Sequence, residues 1–510
     1  MKKILILAVC ALAPASVSAE QWQILGTRPL GMGGAFVAVA QGPIAQYWNP
    51  AGLAIESSKT VSGMEIPVTA GIEATGGILK NASDIGDMAT QINAIQAAQT
   101  GSSPITPAQA ADYIKTMALL NDMTGSGKGA LVEANGGANF KFSKVTVSVN
   151  NFTAVGLNPY IDVNNLNLGN GGTSISSINF SNKTAPSDSS YKNAADLLAA
   201  ALPANTAALL CGTGGCGASI ANNTDLAYAL VNYTDTSITP AQIEQAASQI
   251  SQYAASAAPV IAGALSGGSY TANTSNISLD AASFTEVAFG YGKYFKFLEG
   301  LSMGANLKAI NGRMAYSKFE FMNNSQTGDA FKNMMDESKS TWQPGVDFGA
   351  MWDINKKYPK APLSPKVGLV VRNINSPKFD RPVAEGGKYT LDRQARMGLS
   401  FKPANFWNVA MDMDLTKNST EVKGFDSRQF ALGTEFNLIN KKAFNIPLRA
   451  GIMKNTAEKD SKLAYTLGTG LNLLYMHFDV GAAISSDRTT LDDKKIPTKA
   501  TVSASFGLLF

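Results

Sequence analysis

His477 is the single histidine in this chain of 510 residues, so a Ser/His/Asp hydrolase would have to use it. Asp479 follows two positions later, so both side chains would share one face of a strand, as the base and acid of a nucleophilic hydrolase must. A lone histidine on a polar face is usually a solvated wall residue, however, and one histidine cannot complete a His-rich zinc site. We therefore expect no catalytic residue, no metal, no cofactor and no enzymatic activity, with a hydrolase that uses His477 as a distant alternative.

Two glycine-containing fragments suggest phosphate binding but lack the residues that it requires. Gly31 and Gly33 could open a dinucleotide fingerprint, but Phe36 stands where the third glycine belongs. The fragment from Gly125 to Lys128 lacks the first glycine of a P-loop and the Ser or Thr that must follow its lysine. The net charge of +4 is too small to indicate nucleic acid as a partner.

The N-terminus predicts an exported protein. Two lysines precede an apolar stretch over residues 4–12, and small residues end at Ala19, which is the pattern of a signal peptide over residues 1–19 that is cleaved after Ala19. Cys10 lies inside the apolar stretch and follows a valine, so a lipoprotein signal is disfavoured. The mature chain is expected to begin at Glu20.

Two cysteines remain after this cleavage, Cys211 and Cys216, and they lie in a loop of small residues. In an oxidising compartment this short spacing favours one local disulfide. A metal site is the alternative, but the sequence has no second cluster of cysteine or histidine to complete four ligands.

The last strand-like segment indicates the fold class. Apolar side chains at Val502, Ala504, Phe506, Leu508 and Phe510 alternate with small or polar residues. Because the side chains of a strand alternate between its faces, one face suits lipid and the other suits water. A closing strand with a terminal aromatic resembles that of Gram-negative outer-membrane β-barrels, in which it serves as an assembly signal. We therefore expect the cell outer membrane as the location, with outer-membrane lipid and the barrel-assembly machinery as partners.

The same alternation recurs along the chain, whereas no run of eighteen apolar residues offers a transmembrane helix after the signal peptide. We count about fourteen such segments, an even number, as single-chain bacterial barrels have. The sequence thus predicts an all-β protein, a transmembrane antiparallel β-barrel over residues 59–510. The segments lie near residues 59–71, 129–142, 144–155, 284–297, 300–313, 341–354, 364–374, 393–402, 405–416, 427–438, 446–455, 462–473, 475–486 and 498–510.

Very short connections alternate with longer ones, as expected if short turns face the periplasm and long loops face outward. The longest predicted extracellular inserts cover residues 72–128 and 156–283. Both are predicted to be partly helical, because each contains a Thr-Pro start signal, at Thr106 and at Thr239. We interpret them as a cap over the pore mouth. Variable surface decoration is the alternative.

Charged side chains of both signs fall on the predicted lumen face of the strands. This mixture favours ion pairs around a plug over an ion filter of a single sign. A barrel interior that is merely polar remains the alternative. The principal lumen-facing candidates are Arg372, Arg396, Asp412, Asp414, Arg449, His477 and Asp479.

Residues 20–58 precede the first strand and carry the most specific motifs. Gly31, Gly33 and Gly34 belong to a Gly-Met-Gly-Gly-Ala sequence, and Asn-Pro-Ala follows about fifteen residues later. The combination resembles the FadL/TodX-like family of outer-membrane transporters for hydrophobic compounds, and more closely the related TraF-like group of conjugal transfer proteins. That resemblance implies an N-terminal plug or hatch whose gating motif comprises Asn49, Pro50 and Ala51.

Glycines in this segment would permit positive φ angles and close backbone approach, and Pro50 would fix a turn. The resemblance implies passive uptake of a hydrophobic small-molecule ligand through a plug-gated barrel. An ordinary structural plug without a gating role is the alternative for this segment. For the whole chain, the alternative is a structural or assembly protein of an envelope or conjugative-transfer apparatus that binds partners through its long loops.

Overall fold

A computed structural model describes residues 20–55, 62–78, 116–166, 180–204, 206–211, 220–234, 238–252, 259–260, 263, 268–269, 272–320, 330–441, 444–491 and 494–509. The predicted signal peptide, Cys216 and Phe510 lie outside these residues. Within them, no helix has the length and apolar character that a membrane span would need.

Fourteen antiparallel strands form a closed barrel, which confirms the predicted fold class and strand count. β1 pairs with β2 on one side and with the last strand, β20, on the other, so the two ends of the sheet close on each other. The barrel strands are β1 Gly63–Thr75, β2 Gly129–Phe142, β3 Val145–Tyr160, β4 Asn276–Phe295, β5 Leu301–Glu320, β6 Lys339–Asp353, β7 Lys366–Arg372, β10 Gln394–Ala404, β11 Trp407–Asp414, β14 Gln429–Lys441, β15 Phe444–Asn455, β16 Ala464–Leu473, β17 Met476–Ser485 and β20 Lys499–Leu509.

Side chains alternate along these strands between an apolar outer face and a buried inner face. In β20, Val502 is 60% exposed on the outside, whereas Ser503 and Ser505 are buried inside. Leu467 of β16, at 68% exposure, and Val480 of β17 continue the outer surface. Such an apolar outer surface is what a barrel surrounded by lipid requires, because its exterior contacts hydrocarbon instead of water.

Several strands extend further than the alternation predicted, so the predicted inserts at 72–128 and 156–283 are too long. β1 continues to Thr75, β3 continues to Tyr160, and β4 begins already at Asn276. These extensions lie at the end with the long connections, where the strands still pair with their neighbours. The connection predicted at 439–445 is shorter than expected, since β14 ends at Lys441 and β15 begins at Phe444.

Part of the second insert is helical, as the sequence predicted. Its helices span Ser189–Ala201, Thr206–Cys211, Asn223–Thr234 and Pro240–Gln252. Ala194, Val231 and Ile243 belong to a small hydrophobic core shared by three of them. The Thr-Pro signal at Thr239 therefore does start a helix, whereas the one at Thr106 lies outside the described residues. Short helices also occur at Ala330–Asp336 and Ile354–Lys357.

Two of the long connections fold back into the barrel instead of outward. The first contains the hairpin of β8 Lys378–Asp380 and β9 Lys388–Thr390, and the second contains β12 Asn418–Ser419 and β13 Asp426–Ser427. We call these two connections, residues 373–393 and 415–428, the cover. A further hairpin, β18 Arg488–Leu491 with β19 Lys494–Pro497, joins β17 to β20.

Candidate functional site

Residues 20–55, here called the inner segment, lie within the barrel and are almost entirely buried. Their regular structure is limited to a helix at Thr27–Gly31, a helical turn at Ala45–Trp48 and a 3-10 helix at Pro50–Ala54. Because so little of the segment is regular, its backbone groups depend on tertiary hydrogen bonds. The wall of the barrel and the segment itself supply these bonds.

The inner segment has a hydrophobic core of its own. The rings of Trp22, Phe36 and Tyr47 each pack against Trp48, with centroid distances between 5.7 and 6.2 Å. Two main-chain carbonyls near the start of the segment accept hydrogen bonds from this core, Gln23 from the Tyr47 hydroxyl and Leu25 from the Trp48 indole. The segment therefore folds on itself as well as against the wall.

Two wall arginines lie against these aromatic rings. The Arg372 guanidinium lies 4.1 Å from the Tyr47 ring centre, and that of Arg396 lies 4.5 Å from the Trp22 ring centre. Both arginines are buried, where a cation–π contact is stronger than at an exposed site. Tyr47 also stacks on Phe152 of β3 at 5.0 Å. The alternation predicted that both arginines face the lumen, but it did not predict that they contact aromatic rings.

The three glycines of the motif differ in backbone conformation. Gly33 and Gly34 have φ angles of +69° and +89°, the left-handed region that favours glycine, as expected. Gly31 instead ends the Thr27–Gly31 helix and is not among the glycines with positive φ. A β-carbon there would lie 3.1 Å from the Gly468 backbone, and close approach to the wall is the reason for this glycine.

Asn49 connects distant parts of the structure at the start of the 3-10 helix. Its side-chain oxygen accepts a hydrogen bond from the Ala51 amide at 3.1 Å, which caps the helix. Its side-chain nitrogen donates to the carbonyl of Val37 at 3.2 Å and to that of Ala350 on β6 at 3.1 Å. Pro50 occupies the first helical position, where no amide hydrogen is needed. The Asn-Pro-Ala motif therefore joins two parts of the inner segment to the wall.

A chain of ion pairs joins the inner segment to the wall at the other side of the barrel. Arg28 binds Glu435 through two nitrogens, at 2.7 and 2.8 Å. Arg449 lies between Glu435 and Asp479 and pairs with both carboxylates. All three wall residues are buried, so the paired charges compensate one another away from water. Arg449 and Asp479 were among the residues predicted to face the lumen.

The remaining predicted lumen residues also lie on the inner face. Arg396 pairs with Asp414 at 2.5 Å. Asp412 accepts hydrogen bonds from the amides of Phe36 and Val37 at 2.7 and 2.8 Å, so it holds the backbone of the inner segment directly. Arg372 pairs with Glu286 of β4, a residue that the sequence reasoning missed although its strand position faces inward.

His477 is buried on β17, and its imidazole lies against Gly507. Its Nδ1 atom has no hydrogen-bond partner in the described structure, and Asp479, two residues further along the same inner face, pairs with Arg449. In the part of the chain that is described, no three residues of the metal-binding types lie together. Cys211 ends the Thr206–Cys211 helix, and its predicted disulfide with Cys216 lies outside the described residues.

A polar cavity of about 610 Å³ lies between the inner segment and the end of the barrel with the short turns. Its lining includes the ion-pair chain of Arg28, Glu435, Arg449 and Asp479. Asparagines 437, 445 and 472 line it as well and form a row of side-chain hydrogen bonds across three strands, each 3.1 Å long. The inner segment thus separates a polar chamber from the other half of the barrel.

In that other half the inner wall carries an apolar patch, formed by Ala282, Phe284, Ile310 and Met314 of β4 and β5. The cover hairpin buries this patch beneath Phe379, Tyr389 and Leu391. The second connection of the cover packs on Leu131 and Ala154 in the same way. The two connections are joined where the Tyr389 hydroxyl donates to Glu421 at 2.9 Å.

Several solved structures are similar to this chain at low sequence identity. The toluene transporter TbuX of Ralstonia pickettii is 10% identical, with a TM-score of 0.41 over 95% of this chain and 98% of that one. The toluene transporter TodX of Pseudomonas putida is 10% identical, with a TM-score of 0.40 over 97% and 99%. A FadL homologue of Pseudomonas aeruginosa is 9% identical, with a TM-score of 0.38 over 96% and 99%.

No curated protein matches the sequence. A family of proteins described as "F plasmid transfer operon, TraF, protein" does match it, over residues 46–414. The match begins within the inner segment and continues to the end of β11. Because it covers more than half of the chain, the predicted resemblance to the TraF-like group is confirmed, and the protein belongs to this family.

Proposed function

We propose that this protein is an outer-membrane channel for the passive uptake of hydrophobic small molecules, in which residues 20–58 act as a plug that gates the barrel. The apolar patch on the inner wall supports this proposal most directly. Barrel interiors are ordinarily polar. An apolar wall exposed to water would cost roughly 25 cal/mol for each Å². The patch therefore requires an apolar occupant.

The cover supplies that occupant in this structure, through Phe379, Tyr389 and Leu391. A hydrophobic solute is the alternative occupant, because it satisfies the same wall when the hairpin moves aside. The fragment from Lys378 to Thr390 contains only a three-residue strand pair and exposed turns, so its displacement breaks few hydrogen bonds. The patch is thus suited to receive an apolar solute from the side of the long loops.

The inner segment is the next barrier on this path. Asn49 bonds to β6, and Pro50 and Ala51 lie against Gly304 of β5. Gly31 and Gly33 bring another part of the segment against the wall, and Gly34 lies beside Ile24. We assign the gating role to these six residues. A solute that passes them reaches the polar cavity at the end with the short turns.

The proposal also includes outer-membrane lipid and the barrel-assembly machinery as partners. The exposed apolar side chains of the outer face, such as Val68 and Leu467, would contact outer-membrane lipid. β20 closes the barrel by pairing with β1 along its whole length, so it is the segment on which the barrel-assembly machinery would act. The proposal assigns no catalytic residue and no cofactor.

Uptake of the fluorescent apolar probe N-phenyl-1-naphthylamine by cells that express the protein tests this function. We expect faster uptake than in cells with an empty vector, and faster uptake again with Phe379→Ala, which leaves part of the patch uncovered. The matched control is Val383→Ala, at an exposed position of the same hairpin. Equal uptake with and without the protein would contradict the proposal.

A second candidate function is a structural or assembly role in an envelope or conjugative-transfer apparatus. The family description and the helical body at Ser189–Gln252, which has its own hydrophobic core, favour it. Deleting residues 180–260 separates the two functions. An assembly protein would lose its envelope complex in co-purification, whereas a channel would keep its probe uptake.

A further inference from the structure

Nine inward-facing glycines, each on a different strand, lie against the inner segment. They form a belt around the barrel, because many of them are register partners: Gly292 pairs with Gly304, and Gly304 pairs with Gly349. Where two neighbouring belt glycines are not register partners, they lie two residues out of register, because the strands of a barrel are staggered. The belt comprises Gly292, Gly304, Gly349, Gly368, Gly398, Gly433, Gly451, Gly468 and Gly481.

Each belt glycine brings the wall backbone into contact with the inner segment. A β-carbon at Gly451 would lie 2.6 Å from the Gly33 nitrogen, and one at Gly292 would lie 2.9 Å from the Ala54 nitrogen. At Gly304 and Gly433 it would overlap the backbones of Pro50 and Met32 outright. Glycine within a strand weakens the strand, and its ordinary justification is close approach of another backbone. Nine such positions at one level therefore mark a surface shaped for this segment.

Polar anchors extend the belt onto two further strands, β11 and β20. On β11, Asp412 accepts the amides of Phe36 and Val37. On β20, the hydroxyls of Ser503 and Ser505 lie 2.9 and 2.7 Å from the Thr27 hydroxyl. These buried groups form hydrogen bonds to the segment. The occupant of the belt is therefore present in the structure.

We propose that the glycine belt is a docking seat on which the inner segment binds as one preassembled unit, so that it seats and leaves as a whole. Two observations favour a unit over a chain that detaches piece by piece. The segment has its own aromatic core around Trp48. Its hydrogen bonds from Trp48 to Leu25 and from Asn49 to Val37 join residues far apart in its sequence.

The proposal makes seating at one end of the segment depend on the belt at the other end. Thr27→Cys with Ser503→Cys provides a reporter, since the two hydroxyl oxygens lie 2.9 Å apart and oxidation should cross-link the cysteines. Gly304 contacts Pro50 and Ala51 and does not contact Thr27. In the full-length chain, Gly304→Ala should lower the cross-linked fraction several-fold, and it should raise the conductance of the protein in planar bilayers.

Gly71→Ala is the matched control, because the atoms nearest to a β-carbon there all belong to the Thr501 side chain on the wall. It should leave cross-linking and conductance unchanged. Gly481→Ala, whose nearest contacts would be 3.2 to 3.4 Å, should have a smaller effect than Gly304→Ala. Heat-modifiable migration in gels reports whether each variant has folded.

A folded Gly304→Ala variant with undiminished cross-linking would overturn the proposal, because the ends of the segment would then seat independently. If Gly304→Ala does not fold, Gly368→Ala replaces it, since a β-carbon there would lie 2.9 Å from the Val37 carbonyl oxygen. Reduced cross-linking of Gly368→Ala would then support the proposal, and undiminished cross-linking of the folded variant would overturn it. Cross-linking does not depend on any transported compound, so this test stands apart from the test of uptake.

Discussion

The guanidinium of Arg372, on the barrel wall, lies 4.1 Å from the centre of the Tyr47 ring in the inner segment. The same guanidinium pairs with Glu286 at 3.2 Å, and Glu286 in turn binds Lys308. Tyr47 is fixed from its other side by Phe152 and by the hydrogen bond from its hydroxyl to Gln23. One wall arginine thus connects the inner segment to a charge network of three strands.

Replacing Arg372 should weaken the hold on the inner segment. Arg372→Met keeps much of the side-chain volume but removes the cation–π contact and one buried ion pair, which we expect to cost about 2 to 4 kcal/mol. Faster proteolysis within residues 20–55 would report the loss. Lys388→Met removes an exposed ion pair with Asp380 and should change proteolysis little. Equal protection of both variants would show that the contact does not hold the segment.

Replacing Asn49 should loosen the plug without unfolding the barrel. Asn49→Ala removes one cap and two donated hydrogen bonds, a loss of about 1 to 3 kcal/mol. We expect higher probe uptake with unchanged heat-modifiable migration, and the same direction for Pro50→Ala. Gln41→Ala, at an exposed position of the same segment, is the control. Loss of both migration and uptake would mean that the motif is structural and has no gating role.

The cover should open more readily as the pH rises. Burial raises the pKa of the Glu421 carboxyl to about 8, although the hydrogen bond from Tyr389 opposes this shift. Because of this raised pKa, the closed cover retains a proton that the open cover releases. The closed cover therefore becomes less stable as the pH rises from about 4.5, the ordinary pKa, to about 8. Probe uptake should therefore increase from pH 5 to pH 8.

Glu421→Gln tests this explanation, because glutamine keeps the neutral shape and cannot titrate. Its uptake should vary less with pH than that of the unmodified protein. Tyr389→Phe removes only the hydrogen bond between the two connections and should raise uptake at every pH. A Glu421→Gln profile that matches the unmodified protein would place the titrating group elsewhere.

An arginine introduced on the outer face should show whether that position contacts membrane lipid. Leu467→Arg places a charge on the exposed side of β16, which we expect to destabilise the barrel by about 2 to 4 kcal/mol if this position lies near the membrane midplane. Val383→Arg, at 87% exposure on the cover hairpin, should be neutral. Urea unfolding in phospholipid vesicles measures both. A neutral Leu467→Arg would place the membrane at another height on the wall.

The barrel itself could be predicted because a two-residue alternation fixes the face of each side chain once the strand is recognised. Alternation placed Arg396, Asp412 and Asp479 on the inner face, where the structure also has them. It missed the strand ends near Tyr160 and Asn276, although the alternation continues there through Ile277 and Leu279. The partners of these inner residues could not be predicted, since they come from strands distant in sequence.

The sequence by itself determined the fold class, the number of strands, the faces of their side chains and the special residues of the inner segment, because each of these depends on local pattern. Only the tertiary structure decided what those residues contact. Gly304 is unremarkable in the sequence, and it meets the backbone of Pro50 only after the wall has closed around the segment. Closure brings nine glycines to one level, and that arrangement depends on strand register, which local sequence does not specify.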